Sequence, residues 1–300
     1  MITYVFHQNS IKANLLLVFV CLFSVSYCPA QLTDLARLEY SFIPYKNSED
    51  DYTRLRAIFN VPLELREDTY LVIGTEYNLI SLDLNENYPF DTSLLERIHV
   101  IDANLGYTYK MNDRWRFAAK FGPRIASTLN ANITSADIFY IGGVYFINDR
   151  SEDEGKKPYR LILGLSYNST IGIPFPLPII SYQREINDKW SFAVGIPKTN
   201  LKYALNASNV FQVFATLDGY YANIQKPLVI NGQQADHISL SVIISGLGYE
   251  YQFTKHLVSY IYTGYTLSLV NDLNDGDRDS IFKLSDVNTF YFRTGLKFKL

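Results

Sequence analysis

Six basic residues carry the first hint of chemistry: Arg54, Arg56, Arg116, Lys120, Arg160 and Arg293 all fall on the polar parity of alternating runs. In an extended strand successive side chains point to opposite faces, so residues of one parity share one environment. With the apolar parity outward, the polar parity gathers these six with Arg37, Lys110, Lys297 and Lys299. Only Glu39, Glu76 and Asp102 stand against them. An enclosed surface of that sign draws in anions. The competing reading is that the basic groups pair with acids of the same lumen and of loops folded into it, filling a barrel too narrow to conduct.

The chain as a whole is acidic, with 30 Asp and Glu against 27 Lys and Arg, so the surplus acid is expected in the connections. One connection holds Asp83, Glu86 and Asp91; another holds Asp272, Asp275, Asp277 and Asp279, and its regularly spaced oxygens invite a calcium reading. Aligned on Gly276 as the sixth position of an EF-hand loop, Leu273 takes the third position and Phe282 the twelfth, and neither can ligate. A looser calcium cage is the alternative to a solvated acidic loop; no metal or cofactor is otherwise expected. Nothing in the charge balance points to nucleic acid.

Histidines come next. His256 lies in a tight turn, while His99 and the pair Asp236-His237 stand near strand ends. A carboxylate-polarised imidazole at a barrel rim is what a hydrolase or acyltransferase needs. Neighbours in a strand face opposite ways, however, so Asp236 and His237 do not share a side. A non-enzymatic protein is expected, with a rim-active hydrolase or acyltransferase as the alternative.

The elements that must position these residues are strands. Residues 101–110, 115–122, 159–168 and 290–300 each alternate between an apolar and a polar set, and no stretch keeps a helical period over three turns. Fourteen candidate strands result: 36–43, 53–62, 69–82, 97–110, 115–127, 137–147, 159–169, 178–186, 190–196, 200–206, 209–224, 238–253, 257–270 and 288–300, with 200–206 the one that could instead be a loop. Tight turns at 111–114, 186–189 and 254–256 alternate with long polar connections at 83–94, 128–136, 225–236 and 271–286. The first two turns are near copies, Asn-Asp-Arg-Trp and Asn-Asp-Lys-Trp. Short turns on one side and long loops on the other are the asymmetry of an outer-membrane barrel.

The N-terminus agrees. Lys12 and the apolar run Leu15 to Val25 make a secretory signal, too short to span, with cleavage expected after Ala30. Removing 1–30 also removes Cys21 and Cys28, so 31–300 holds no thiol. Lys12 leaves with it, so 26 basic residues remain against 30 acidic ones.

Alternation alone fits a soluble exported ligand-binding β-protein as well as a membrane barrel. Tyrosine abundance (24 Tyr and 19 Phe), strands of about ten residues and an ending inside a strand favour the barrel. The segment Thr294-Gly295-Leu296-Lys297-Phe298-Lys299-Leu300 resembles the terminal signal read by barrel-assembly machinery, with Leu in place of the usual aromatic. Further, Pro174 to Tyr182 (PFPLPIISY), Trp190 to Pro197 (WSFAVGIP) and Tyr220-Tyr221 resemble an uncharacterised outer-membrane β-barrel family of Gram-negative bacteria. The resemblance implies fold and location and attaches no activity. The expectation is therefore an all-β, antiparallel up-and-down transmembrane barrel of about 12–14 strands over 31–300. Its partners are outer-membrane lipid and, within its lumen, a small anionic solute.

The turn asymmetry makes a sided prediction. In intact cells a cysteine introduced at Asp275 should react with an impermeant maleimide, and one at Asn187 should react only after the outer membrane is opened. The reverse pattern would invert the topology.

Overall fold

The computed structural model describes residues 34–150 and 158–299. The signal segment, its cleavage point and Leu300 lie outside the described residues. The strands in order are β1 (Ala36–Pro44), β2 (Asp51–Arg66), β3 (Thr69–Asp83), β4 (Arg97–Lys110) and β5 (Trp115–Ser127). Then come β6 (Ile138–Asp149), β7 (Tyr159–Asn168), β8 (Phe175–Glu185), β9 (Trp190–Ile196) and β10 (Lys198–Ala204). Last are β11 (Asn209–Ile230), β12 (Gln233–Gln252), β13 (Leu257–Asn274), β14 (Ser280–Lys283) and β15 (Phe290–Phe298).

From β1 to β14 each strand pairs antiparallel with the next, and β15 closes the ring by pairing with both β13 and β1. The result is a closed barrel of 14 strands, with β14 a short flap on the upper end of β13. Closure follows from the solvent: in lipid every backbone donor and acceptor must find its partner within the protein. The outward parity is apolar and exposed, as at Leu38, Phe59, Leu105, Phe121, Val213 and Leu247. Those side chains have no other neighbour to bury against, and the lipid is their environment.

One end of the barrel is built from tight turns of one chemistry. Asn112 Oδ1 accepts hydrogen bonds from the amides of Arg114 and Trp115, both at 3.0 Å. Asn187 does the same for Lys189 and Trp190, and Asn206 for Ser208 and Asn209. An Asn that turns the chain onto itself is the local reason these hairpins are short.

The other end departs from a simple barrel. β9 and β10 have only 7 residues each, and β10 reaches β11 no higher than Lys198 opposite Thr216. β11, by contrast, runs 22 residues, to Ile230. Above Thr216 it has no strand on its β10 side, and it next meets β5, far across the ring, in a parallel contact of Asn223 with Ser127. With β12 still paired to β13 as far as His237, the upper β11–β12 hairpin therefore bends inward and crosses the lumen. Tyr220, Ile224, Leu228, Ile230, Ile238 and Leu240 pack there against inward residues of β1 to β5, including Ile43, Ile80, Leu82, Ile98 and Val100. Each apolar side chain so removed from lumen water contributes about 1.5–3 kcal/mol. The outer half of the lumen is a hydrophobic core.

The strands observed at Arg97–Lys110, Trp115–Ser127 and Trp190–Ile196 match the expected spans to the residue, and 200–206 is a strand, Lys198–Ala204. Two expectations are corrected, for 225–236 and for β12. Residues 225–236 are not a polar loop, because the hairpin continues through them to a two-residue turn at Asn231 and Gly232. Two single turns of 3-10 helix occur, at Thr92–Leu94 and Ser135–Asp137. Ser239, Ser241 and Ser245 share parity with Leu247, Tyr249 and Tyr251, which predicts a bulge near Ser245-Gly246, but β12 has none there: its ladder with β11 runs unbroken from His237 to Tyr251. The extra residue lies instead in β13, between Ser268 and Val270, opposite Val242 and Ser241. Ser239 and Ser241 remain outward but are buried, Ser241 beneath the 169–174 loop, where its Oγ meets the Thr170 carbonyl at 3.4 Å.

Carboxylates dock the hairpin and the loops around it. Asp137 accepts hydrogen bonds from Asn223 Nδ2 (2.8 Å), Gln225 Nε2 (2.9 Å) and the Thr134 amide (2.7 Å). Asp50 accepts from Tyr88, Ser285 and the amides of Asn85 and Glu86, joining three loops. For both, burial pushes the carboxyl upward, but the hydrogen bonds prevail and hold it low, at about 2 for Asp137. A depressed folded-state value stabilises above the unfolded value of about 4 and is lost as pH falls through the folded one. Pepsin is therefore expected to spare the hairpin near pH 4 and to cut it near pH 2 while the barrel wall stays intact, and Asp137→Asn should be cut at both. Equal resistance of both proteins at both values would show that Asp137 does not dock the hairpin.

Candidate functional site

Beneath the hairpin lies a cavity of about 420 Å³, walled by β1 to β5 on one side and β10 to β15 on the other. Its centre is an ion-pair network. Arg54 on β2 donates two hydrogen bonds to Asp218 on β11, at 2.9 and 2.6 Å, and Arg293 on β15 donates to the same carboxylate at 2.7 Å. Glu39 on β1 stands among three guanidiniums, 3.6 Å from Arg293, 3.9 Å from Arg56 and 4.0 Å from Arg54. Tyr260 donates to its other oxygen at 2.7 Å. Arg56 makes a two-point pair with Glu76, both contacts at 2.9 Å, and Arg124 makes another with Asp102, both at 2.7 Å. Planar guanidinium and carboxylate forks match, which fixes orientation as well as charge.

The β10–β15 side differs. Glu250 receives Lys297 at 2.9 Å, Lys202 at 3.5 Å, the Tyr262 hydroxyl at 2.7 Å and Gln212 at 2.9 Å. Lys198 lies over the rings of Tyr262 and Phe214, 5.3 and 5.7 Å from their centroids. Among the described residues no carboxylate comes within ion-pair distance of it. Three lysines thus face one glutamate.

Of the six basic residues singled out by parity, the structure brings Arg54, Arg56 and Arg293 together in this cavity. Lys120 is on the lumen face of β5, exposed and without an ion pair among the described residues. Arg116 and Arg160 lie instead at the tight-turn end, Arg116 bonded to Asp68 (3.0 and 3.2 Å) and Arg160 3.6 Å from Asp149. Parity gives a face but not a height, and height separates these two from the rest. Sequence reasoning missed Arg124, Lys198 and Lys202, and it left Asp218 and Glu250 out of the lumen. The signal existed: Phe211, Val213, Leu247 and Tyr251 face outward, so residues of the opposite parity on β11 and β12 face in.

The other candidates do not assemble. Asp272 lies in β13 opposite Lys283, while Asp275 accepts from the amides of Asp277 and Asp279 to shape its own turn. Among the described residues no three His, Cys, Asp or Glu are grouped to hold a metal. His99 meets the Tyr77 hydroxyl at 2.9 Å on the outer face; His237 stacks on Tyr221 and meets the Asp275 carbonyl at 3.3 Å. Each has its own partner, and Asp236 is engaged with Gln234.

A family model described as Domain of unknown function (DUF6268) matches residues 44–299. The chain belongs to this family. The match takes in β2 to β15, so the crossing hairpin and all of the cavity lining except Arg37 and Glu39 of β1 lie within the DUF6268 domain. No curated protein matches. Among solved structures the DUF6268 chain is similar to the KdgM porin, with 8% identity, a TM-score of 0.40, and 88% of this chain and 98% of that one covered. It is also similar to the NanC porin (13%, TM-score 0.38, 88% and 100%) and to LpxR from Salmonella typhimurium (8%, TM-score 0.40, 88% and 100%).

Asp218 holds two arginines from opposite ends of the chain, so its loss leaves buried charge uncompensated. Asp218→Asn should destabilise the barrel by about 3–5 kcal/mol, whereas Asp68→Asn, which breaks a half-exposed pair with Arg116, should cost under about 1 kcal/mol. The temperature at which the fast-migrating folded band disappears on gels checks this. Equal shifts would remove the network from the account of stability.

Proposed function

We propose that this protein is a non-enzymatic outer-membrane barrel that admits a small anionic solute to a basic lumen, from the tight-turn end toward the crossing hairpin. The observation that carries the reading is the local charge surplus. The cavity is lined by eight basic and four acidic side chains, and the excess sits where Lys198, Lys202 and Lys297 share Glu250 alone. Holding several ammoniums close together without counter-charge is costly, and an anion in the cavity relieves that cost. The arginine side is already paired and serves as scaffold. The tight-turn end, where both termini of the barrel lie, faces the periplasm in this reading. The segment Gly295 to Leu300 is then the part that assembly machinery engages, and small carboxylates or phosphates are the solute class.

Reversal potentials in planar bilayers under a KCl gradient test the sign of the lumen. The unchanged protein should prefer anions, and Lys198→Glu with Lys202→Glu should move the preference toward cations. Preference for cations in the unchanged protein would overturn the proposal.

A further inference from the structure

On the side of the short strands the wall of the cavity lacks strand pairing. β8 is paired with β9 only from Ile180 toward the tight-turn end, and β11 is paired with β10 only as far as Thr216. Above these points residues 175–179 of β8 and 217–222 of β11 have no strand between them. The floor of this gap is the β9–β10 turn, held to β11 by the Leu217 amide and the Thr216 hydroxyl, which donate to the Pro197 carbonyl at 3.0 and 3.2 Å. Its roof is the 169–174 loop, whose Thr170 carbonyl lies so close to Gly219 that a Cβ there would stand 2.6 Å from it. Thr170, Pro197, Thr216, Leu217 and Gly219 all line the cavity, so the cavity extends to the roof, floor and one side of the gap. Outside, the gap is bordered on the β8–β9 side by exposed Phe175, Ile180 and Ile196, in the band of side chains that meets lipid. Just inside the floor stands Lys198, the lysine without a carboxylate.

We infer that this gap is a lateral window and that the ligand is an amphiphilic anion. Its phosphate or carboxylate head sits beside Lys198, and its single alkyl chain passes over Pro197 and Leu217 into the membrane. This deepens the proposed function and rests on it: the basic lumen supplies the head-group site, and the window adds a tail. A purely hydrophilic anion would use the lysines but would leave the apolar border unmatched. An apolar chain lying along that border exchanges lumen water for hydrocarbon contacts. A neutral amphiphile would leave Lys198 unanswered.

The test uses the full mature chain in nanodiscs of zwitterionic lipid, with dodecyl phosphate and inorganic phosphate as probes and empty nanodiscs as the partition control. Dodecyl phosphate should bind at least about tenfold more tightly than phosphate, as the gain of buried CH₂ groups requires. Lys198→Gln should weaken both by about tenfold, the scale of one charge-assisted hydrogen bond. Leu217→Trp, which narrows the window, should weaken dodecyl phosphate alone; Ile196→Trp on the outer rim does the same job should Leu217→Trp not fold. Equal affinity for the two probes, or a Trp variant that moves neither, overturns the window and leaves the anion-binding lumen standing. Binding of neither probe overturns the lumen reading along with it.

Discussion

A backbone amide or carbonyl facing hydrocarbon without a partner costs several kcal/mol, and the architecture of this barrel follows from where that cost falls on β11. For its lower seven residues the strand is paired on both sides, with β10 and β12. Above Thr216 it keeps β12 but loses β10, so an upright course would present an open edge to lipid. The chain avoids that edge by bending β11 and β12 inward, with β12 still paired to β13 as far as His237. There the free side of β11 meets lumen water, apolar side chains and finally the β5 edge, where the Thr128 amide donates to the Asn223 carbonyl at 3.2 Å.

Turning inward decides the rest of the interior. Asp218 is the inward residue at the bend, and it takes two of the three arginines that crowd around Glu39, those of β2 and β15. Beyond it the inward residues become Tyr220, Ala222 and Ile224, and the facing wall answers with Ile80, Leu82 and Ile98. The lumen therefore has two media stacked along its axis, an apolar one beneath the loops and a charged one toward the tight turns. The charged layer is asymmetric because its arginine side is satisfied by carboxylates on neighbouring strands, whereas the lysines of β10 and β15 have only Glu250.

How much of this could be read from the residues differs by level. The strands and their alternation were legible because lipid on one side and water on the other impose opposite demands on adjacent positions; Trp115 to Ser127 and Trp190 to Ile196 show it cleanly. The tight turns were legible because Asn at their first position has a single structural use. The crossing hairpin was not. Residues 225–236 are polar enough for a loop, and nothing local tells that Ile224, Leu228 and Ile230 will find Leu82 and Ile98. The serines at 239 and 241 did signal a change of environment along β12, but the cause is a loop laid over the ribbon rather than a slip in β12. For the charges, parity told the face correctly for Arg54, Arg56 and Arg293, yet Arg116 and Arg160 share that face at another height. The alternation on β11 and β12 carries the signal that places Asp218 and Glu250 inside, although most of the chain's acid lies in the connections.

The crossing hairpin also bears on how such a chain reaches its final form. Its contacts with the opposite wall join residues 97 apart in sequence, as between the Gln225 amide and Thr128 Oγ1. Contacts of such long range carry the loop-closure entropy of everything between them and form slowly. The wall can zip strand by strand from local hairpins, while the interior waits on the whole circumference. Closing the interior thus carries a larger entropic cost than joining neighbouring strands of the wall.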